Sequence, residues 1–236
     1  MPSDDPLPSS YLEGRMLLVD KPKGWTSFDV VNKVRYRLKQ LLGVKKIKVG
    51  HAGTLDPLAT GLLILCTGKA TKNIDTFQGL PKYYEGTLIL GGTTPSYDAE
   101  TEVDAEFPYK HITPRQLQEA AAALTGDISQ IPPMFSAIKV DGQPLYKKAR
   151  KGIVLEVKAR EVQIHEFELT RIELPEVDFK VHCSKGTYIR SLAHDLGASL
   201  NSGAYLSALR RTAIGPYNIS EAWQLDDLVE SLTVSS

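Results

Sequence analysis

The sequence predicts an α+β domain built around a mixed sheet, and three observations support this class. Apolar and polar residues alternate from Val177 to Cys183, the pattern of a strand with one buried face. Apolar residues recur at helical spacing over residues 28–41 and are expected to form the inward face of one helix: Phe28, Val31, Val34, Leu38 and Leu41. Strand-like and helix-like segments are interleaved without a regular βαβ order, which favours a mixed sheet over a doubly wound fold.

The elements can be placed in chain order. Residues 1–13 are expected to form a flexible tail and residues 14–236 one domain. We predict strands over 16–19, 61–66, 83–90, 135–140, 161–172, 177–183 and 205–212, and helices over 26–42, 70–78, 113–126, 187–200 and 225–232. Thr26 or Ser27, Thr113 and Thr187 are the expected helix caps, Gly43 ends the first helix, and Asp141-Gly142 is a tight turn.

The composition is that of an ordinary globular protein, with 42% hydrophobic and 24% charged residues in a chain of 236. The longest aliphatic run, residues 61–66, is too short to span a bilayer. Acidic residues and prolines stand where a signal peptide would be basic and apolar. Cys66 and Cys183 have no metal-binding spacing and are expected to be reduced core thiols, so a cytoplasmic location is predicted.

The net charge is zero, but the charges are segregated along the chain. Seven basic residues fall within residues 33–48 without an acid, and a second basic run follows: Lys139, Lys147, Lys148, Arg150, Lys151, Lys158 and Arg160. The acids collect mainly at residues 98–106 and 221–230, and the former read as a solvated acidic loop. This pattern indicates either a phosphate-binding face or ordinary solvated helix faces.

Two residues are candidates for chemistry on physical grounds. Asp56 lies in a glycine-rich stretch, residues 50–63, and Pro57 restricts its backbone to extended conformations. It is either a pre-aimed carboxylate or part of an Asx-type turn before a strand. Arg190 falls near a helix N-terminus, where a cation is locally unfavourable. It either faces a carboxylate or extends into solvent.

The stretches at residues 21–27, 50–63, 82–84, 131–142, 183–190 and 205–212, taken in this order, resemble motifs of the TruB family of pseudouridine synthases. Residues 50–63 resemble the family's nucleophile motif, and residues 183–190, Cys-Ser-Lys-Gly-Thr-Tyr-Ile-Arg, resemble its second motif. Lys82-Tyr83-Tyr84 is similar to its Lys-x-Tyr motif. The opening motif matches residues 21–27, the mid-domain segment residues 131–142, and the leucine motif residues 205–212.

The resemblance implies the pseudouridine synthase catalytic domain, with a large mixed, mostly antiparallel sheet and a central active cleft. It implies isomerisation of a uridine in RNA after the base is flipped out. Asp56 is then the nucleophile, Arg190 its ion-pair partner and Tyr84 the ring that stacks on the base. The implied substrate-binding residues are His51, Lys21, Lys82, Tyr188 and Leu209; a hydrogen-bonded loop residue is the alternative for His51.

The implied substrate is the T-loop of tRNA, read by shape. The residue sequence Asp-Pro-Leu-Ala-Thr-Gly in the nucleophile motif resembles that of the stand-alone bacterial branch of the family, so no guide RNA is expected. No cofactor or metal is expected either, and a monomer is predicted. Family members often carry a C-terminal PUA domain, whereas only about twenty residues follow Ile219 here, so a short form is expected. Two other interpretations remain open: a non-catalytic tRNA-folding factor and a carboxylate-pair hydrolase.

Overall fold

The computed structural model describes residues 9–140, 142–153 and 155–233, so the predicted turn at Asp141 lies outside the described residues. Two compact units are present: one combines the residues up to Lys82 with those from Arg210 onward, and the other is Tyr83–Leu209. The described helices are α1 Ser10–Glu13, α2 Ser27–Leu42, α3 Ile74–Gly79, α4 Pro114–Ala123, α5 Leu145–Ala149, α6 Ile189–Ser199 and α7 Leu225–Ser231. None of these is long and apolar enough to cross a membrane.

The described strands range from two to fourteen residues in length. They are β1 Met16–Lys21, β2 Val49–His51, β3 Thr60–Thr67, β4 Lys82–Leu90, β5 Gly92–Thr93, β6 Ala105–Glu106, β7 Gly126–Gln130, β8 Lys139–Val140, β9 Gln143–Pro144, β10 Arg160–Glu173, β11 Glu176–Cys183, β12 Ala204–Ile214, β13 Tyr217–Asn218 and β14 Trp223–Gln224.

Ten of these strands form one large mixed sheet, mostly antiparallel, which confirms the predicted α+β class. In the first unit, β3 is antiparallel to β1 and β2 and parallel to the C-terminal part of β12, and β14 lies parallel beside β1. In the second unit, β4, β11, β10 and β7 are successive neighbours, and β10 is antiparallel to both β11 and β7. The pairs β5–β6 and β8–β9 are separate two-stranded sheets.

Strand β3 is buried on both faces, which is why its sequence is an unbroken apolar run. Leu63 and Leu65 belong to one core cluster, together with the inward face of α2. Leu62, Ile64 and Cys66 belong to a second cluster, against which α3 packs. Because successive side chains of a strand point to opposite faces, β3 separates two hydrophobic cores.

Helix α2 has the predicted ends, and its inward face differs from the expected one at Phe28. Thr26 and Asp29 form a capping box, and Gly43 adopts a left-handed conformation with φ of 62° after the last turn. The expectation that Phe28 faces the core is wrong: its side chain is 60% exposed, whereas Val30 is fully buried. Phe28 lies in the first turn, where Ser27 and Val30 are the residues that are buried.

The predicted flexible tail is wrong for its last four residues. Helix α1 covers residues 10–13, and Tyr11 is buried in the first unit. The Thr67 hydroxyl donates to the Tyr11 carbonyl at 2.8 Å and accepts the Arg15 N–H at 3.0 Å. These contacts fix the segment to the end of β3. Residues 1–8 of the predicted tail lie outside the described part of the chain.

Two other predicted elements differ from the structure. The helix expected over 70–78 begins as a 3₁₀-helix, Gly68–Asn73, and continues as α3. The strand expected over 135–140 is reduced to β8 because its carbonyls have other partners. The Ser136 carbonyl accepts from the Tyr146 N–H at 3.0 Å, and the Ile138 carbonyl from the Leu145 N–H at 2.8 Å.

The packing of α1 can be tested with two glycines that both have a positive φ. Gly68 has φ of 50° and Gly43 of 62°. A Cβ on Gly68 would overlap the Leu12 carbonyl, whereas nothing lies within 4 Å of a Cβ on Gly43. We expect Gly43→Ala to lower the free energy of unfolding by about 1–2 kcal/mol in urea titrations, and Gly68→Ala by clearly more. Equal losses would contradict close packing of α1 on residue 68.

Candidate active site

The loop that carries Asp56 is fixed through the main chain of both its neighbours. The buried Ser27 hydroxyl donates to the Leu55 carbonyl at 3.1 Å and accepts the Leu55 N–H at 2.8 Å. The Pro57 carbonyl accepts the Gly24 N–H at 2.8 Å. Asp56, which stands between Leu55 and Pro57, is a partly exposed residue. Asp56 is therefore presented on a backbone that is tied to the beginning of α2 and the turn before it.

Arg211 holds the earlier part of the same loop from inside the core. Its side chain is 1% exposed, and its Nη2 donates to the Gly53 carbonyl at 3.1 Å and its Nη1 to the Thr54 carbonyl at 3.4 Å. Its Nε donates to the Leu62 carbonyl of β3 at 2.8 Å. The planar guanidinium presents its donors in a rigid fork, so it sets the direction of the loop as well as its position.

His51 and Lys21 lie beside this loop in the first unit. Burial, and secondarily the positive charge of Arg211, lowers the pKa of His51 below its ordinary value of 6.5. The fully buried Lys21 donates its ammonium to the Trp25 carbonyl at 2.6 Å and to the Pro22 carbonyl at 3.0 Å. Lys21 therefore braces the turn that precedes α2, the same segment that holds the neighbours of Asp56.

Lys82 has a similar bracing role before β4. Its buried ammonium donates to the Gln78 and Leu80 carbonyls, each at 2.6 Å. Two residues later, the Tyr84 side chain is buried on β4, and Leu209 is partly buried on β12.

The N-terminus of α6 is capped differently from the sequence-based expectation. Tyr188 is the N-cap residue, and the predicted cap Thr187 instead donates its hydroxyl to the Ser184 carbonyl at 3.0 Å. The buried Gln130 side chain accepts the Tyr188 N–H at 2.8 Å and donates to the Tyr188 carbonyl at 3.1 Å. The Arg160 guanidinium lies 4.4 Å from the centre of the Tyr188 ring. Gln130 and Arg160 thus fix both the backbone and the ring of Tyr188.

Arg190 is the second residue of α6 and is 4% exposed, so it is not a solvated surface arginine. Its Nη1 donates to the Ser96 carbonyl and its Nη2 to the Phe135 carbonyl, both at 2.9 Å. Its Nε lies 3.5 Å from an oxygen of Asp98. This carboxylate compensates a cation at a helix N-terminus, where the helix dipole disfavours positive charge.

Asp98 is a residue whose role the sequence did not indicate. The prediction of a solvated acidic loop over residues 98–106 is wrong at this position, because Asp98 is 1% exposed. Its carboxylate accepts from the Ser96 hydroxyl at 2.5 Å and from the Glu100 N–H at 3.0 Å. These donors, together with Arg190, provide what a carboxylate needs to remain charged when buried.

In the first unit the structure adds Ser27 and Arg211 to the residues predicted from sequence, and in the second unit it adds Gln130 and Asp98. For three of these residues the sequence contained a weak signal that could have indicated them. Ser27 and Arg211 belong to matched motifs, and Gln130 directly precedes one. The pairing of Asp56 with Arg190 and the stacking role of Tyr84 stay predictions.

A lysine-lined cavity of about 280 Å³ lies in the first unit. It is lined by Leu12, Lys46, Ile47, Lys48, Gly68, Lys69, Thr71 and Lys72. Among the residues that the structure describes, no carboxylate forms an ion pair with these four lysines. A concave surface with four uncompensated cations attracts anions.

The sequence matches known families along most of its length. Residues 39–189 match the model for the TruB family pseudouridylate synthase (N terminal domain), and residues 190–235 match that for the tRNA pseudouridylate synthase B C-terminal domain. A protein of Flavobacterium johnsoniae called tRNA pseudouridine synthase B is 56% identical over 226 residues, which cover 95% of this chain and 99% of the relative. A protein of the same name from Phocaeicola vulgatus is 54% identical over 223 residues, covering 94% and 95% of the two chains.

Solved structures show the same fold. A chain in the crystal structure of a Cbf5-Nop10-Gar1 complex superposes with a TM-score of 0.71 at 30% identity. The match covers 95% of this chain and 56% of that one. The fold and the matched motifs define a pseudouridine synthase. More narrowly, the chain belongs to the TruB family.

The buried ion pair of Asp98 and Arg190 yields a stability prediction. We expect Asp98→Asn to lower the free energy of unfolding by about 3 kcal/mol, because it removes a counter-charge from a buried guanidinium. The matched control is Asp104→Asn, since the exposed Asp104 carboxylate accepts only from the Thr93 hydroxyl among the described residues. Its effect should stay within about 0.5 kcal/mol. Urea denaturation of both variants measures the difference, and equal effects would rule out a stabilising role for Asp98.

Proposed function

We propose that this chain isomerises a uridine of tRNA to pseudouridine. The observation that carries the proposal is the Asp56 loop, whose main chain is fixed on both sides of this partly exposed residue. A carboxylate held in this way is ready to meet a substrate without first being ordered. Relatives at 50–56% identity that are called tRNA pseudouridine synthase B support tRNA as the substrate.

The proposed chemistry is redox-neutral and uses neither cofactor nor metal. The bond between N1 and C1′ breaks, the uracil turns, and a new bond forms between C5 and C1′. A proton leaves C5 and N1 gains one, so that the atoms balance. Asp56 serves as the nucleophile, because a carboxylate can both form and release a covalent bond. Arg190 pairs with Asp56 and holds its carboxylate in place.

The proposed substrate region is the T-loop, from which the target base is flipped into the site. Tyr84 stacks on the flipped base, Leu209 forms an apolar wall, and Tyr188 lies at the pocket edge. His51 contacts the RNA loop near the vacated position. Its lowered pKa keeps the imidazole neutral at physiological pH, which suits stacking. Lys21 and Lys82 support these contacts by bracing the backbone around them.

The lysine-lined cavity is the proposed binding site for phosphates of the RNA stem. It lies at the Thr67 end of β3, whereas the Asp56 loop leads into the opposite end at Thr60. At about 3.3 Å per residue, the two ends of this strand are roughly 23 Å apart. The cavity therefore suits the helical stem below the loop and not the target nucleotide itself.

We further propose that the protein acts alone, as a cytoplasmic monomer without a guide RNA. The relatives that it matches over nearly their full length are called tRNA pseudouridine synthase B, whereas it spans 56% of the Cbf5-complex chain. Cys66 and Cys183 are buried thiols that form no disulfide, in keeping with a reducing compartment. Burial raises the pKa of Cys66 to about 11, so this thiol is unreactive.

The nucleophile assignment is tested by Asp56→Asn. The amide keeps the shape of the side chain but is a poor nucleophile, so we expect turnover to fall below about one thousandth of the parent rate. Affinity for tRNA should stay within about threefold, because phosphate contacts dominate it. Chemical labelling of pseudouridine and filter binding measure the two quantities. The control is Asp75→Asn, an exposed position on α3 that should leave both unchanged.

Two outcomes would overturn this assignment. Turnover of Asp56→Asn within about tenfold of the parent would show that the carboxylate is not the nucleophile. A parent protein that binds tRNA without forming pseudouridine would favour the non-catalytic tRNA-folding factor.

The role of the cavity is tested through the salt dependence of binding. We expect the double variant Lys48→Ala/Lys69→Ala to flatten the plot of log affinity against log salt by about one unit for each RNA phosphate that is no longer neutralised. The matched control is Lys110→Ala/Lys180→Ala, which removes the same charge from exposed positions outside the cavity. If both variants change the slope equally, the cavity has no special role and the lysines act only through net charge.

A further inference from the structure

Tyr97 has an unusual backbone conformation next to Asp98. Its φ is 64°, and among the described residues only Asn201 shares a positive φ without being glycine. Asparagine tolerates this region, whereas an aromatic residue rarely adopts it. Such a conformation persists only where surrounding contacts enforce it, and it is found disproportionately at functional sites.

The contacts that enforce it come from three directions. The Tyr97 N–H donates to the Thr94 carbonyl at 3.1 Å, and the Tyr97 carbonyl accepts the Leu206 N–H at 3.0 Å. The Tyr97 ring stacks on the imidazole of His194, with 3.9 Å between ring centres and 12° between ring planes. Backbone and side chain of Tyr97 are therefore both held.

His194 and Arg190 share one face of α6, because they are four residues apart and so about one turn apart. The segment Ser96–Asp98 meets this face at consecutive positions. The Ser96 carbonyl accepts from Arg190, the Tyr97 ring stacks on His194, and the Asp98 carboxylate lies beside Arg190. In an extended strand, neighbouring side chains would point to opposite sides. The positive φ of Tyr97 allows the side chains of Tyr97 and Asp98 to face the same helix, α6.

We propose that the Tyr97–His194 stack is a positioning pair that sets Asp98, and through it Arg190, for the isomerisation reaction. The proposal rests on the proposed function. The stack lies one helical turn beyond the ion pair of Asp98 and Arg190. It acts by fixing the direction in which the loop presents Asp98 to α6. Without the stack, the left-handed turn at residue 97 loses its side-chain support and the carboxylate can turn away.

The electrostatic setting of His194 agrees with this role. Burial lowers the pKa of His194 below 6.5, an effect that outweighs the opposing influence of Asp104. The imidazole is therefore neutral at physiological pH and adds no positive charge beside Arg190. The adjacent Asp195 has a pKa raised to about 6 by burial. Because the imidazole of His194 is neutral, the ring stack places no repulsive charge one helical turn from the buried Arg190 guanidinium.

The experiment uses two disruptive variants and two that retain the stack. Tyr97→Gly keeps the positive φ at no steric cost and removes the ring, and His194→Ala removes the other ring. Tyr97→Phe and His194→Phe preserve two stacked rings. The single-turnover rate of pseudouridine formation is measured at saturating tRNA, together with tRNA affinity and Tm. A second readout is the NMR signal of the Arg190 Nε–H, assigned by its loss in Arg190→Lys.

We expect both disruptive variants to lower the single-turnover rate at least about tenfold, which corresponds to about 1.4 kcal/mol in the barrier. Affinity for tRNA should not change, and the two phenylalanine variants should stay within about twofold of the parent. The combined variant should be no slower than either single one, because both remove the same ring stack. The Arg190 Nε–H signal should shift or exchange rapidly in the disruptive variants alone.

The contrary results are distinct from a failure of the proposed function. A normal rate and an unshifted Arg190 signal in Tyr97→Gly would overturn the proposal. The proposal would also be overturned if the loss of single-turnover rate paralleled the fall in Tm and the rate recovered when assayed at lower temperature. The stack would then have only a structural role. If the parent protein forms no pseudouridine, the proposed function fails, and the NMR signal still decides whether the stack positions Arg190.

Discussion

The buried guanidinium of Arg211 connects the central strand of the first unit to the loop that carries Asp56. Its N–H groups donate hydrogen bonds to the carbonyls of Gly53, Thr54 and Leu62. A single side chain therefore determines where the loop leaves the core. Gly61 allows this arrangement, because a Cβ there would collide with the Arg211 backbone. The close parallel pairing of β12 with β3 and the position of the candidate nucleophile therefore depend on the same contact.

A second buried arginine, Arg190, meets its electrostatic requirement differently. Arg211 is surrounded by carbonyl dipoles, whereas Arg190 also has the carboxylate of Asp98 beside it. Carbonyls satisfy donors without adding a formal charge, which suits a residue that only holds backbone. The guanidinium of an arginine that already contacts one carboxylate can contact a second anionic group along another edge. The first carboxylate then determines how the guanidinium is oriented toward the second group. This difference separates a purely architectural arginine from one expected to take part in chemistry.

Local signals in the sequence predicted most of the fold, and long-range contacts account for the failures. The apolar run of β3 and the capping box of Thr26 and Asp29 are encoded within a few residues, so they were predictable. The burial of Asp98 depends on Arg190, which lies 92 residues later in the chain. Thr187 has the right chemistry for a helix cap, but the N-cap is the next residue, Tyr188, whose main chain is held by Gln130 of β7. At the candidate site, motif resemblance supplied the candidate reactive residues, whereas the residues that hold their backbone emerged only from the packing.

The two-sided burial of β3 also affects how the protein should behave as it warms. Backbone amides in a strand covered on both faces open to solvent mainly when the whole unit unfolds. The Asp56 loop is tied to this strand through Arg211 and runs directly into it at Thr60. The candidate nucleophile is thus attached to a slowly exchanging part of the molecule and not to a fraying surface segment. Inactivation by heat should then coincide with cooperative melting of the core, unlike in enzymes whose catalytic lids loosen first.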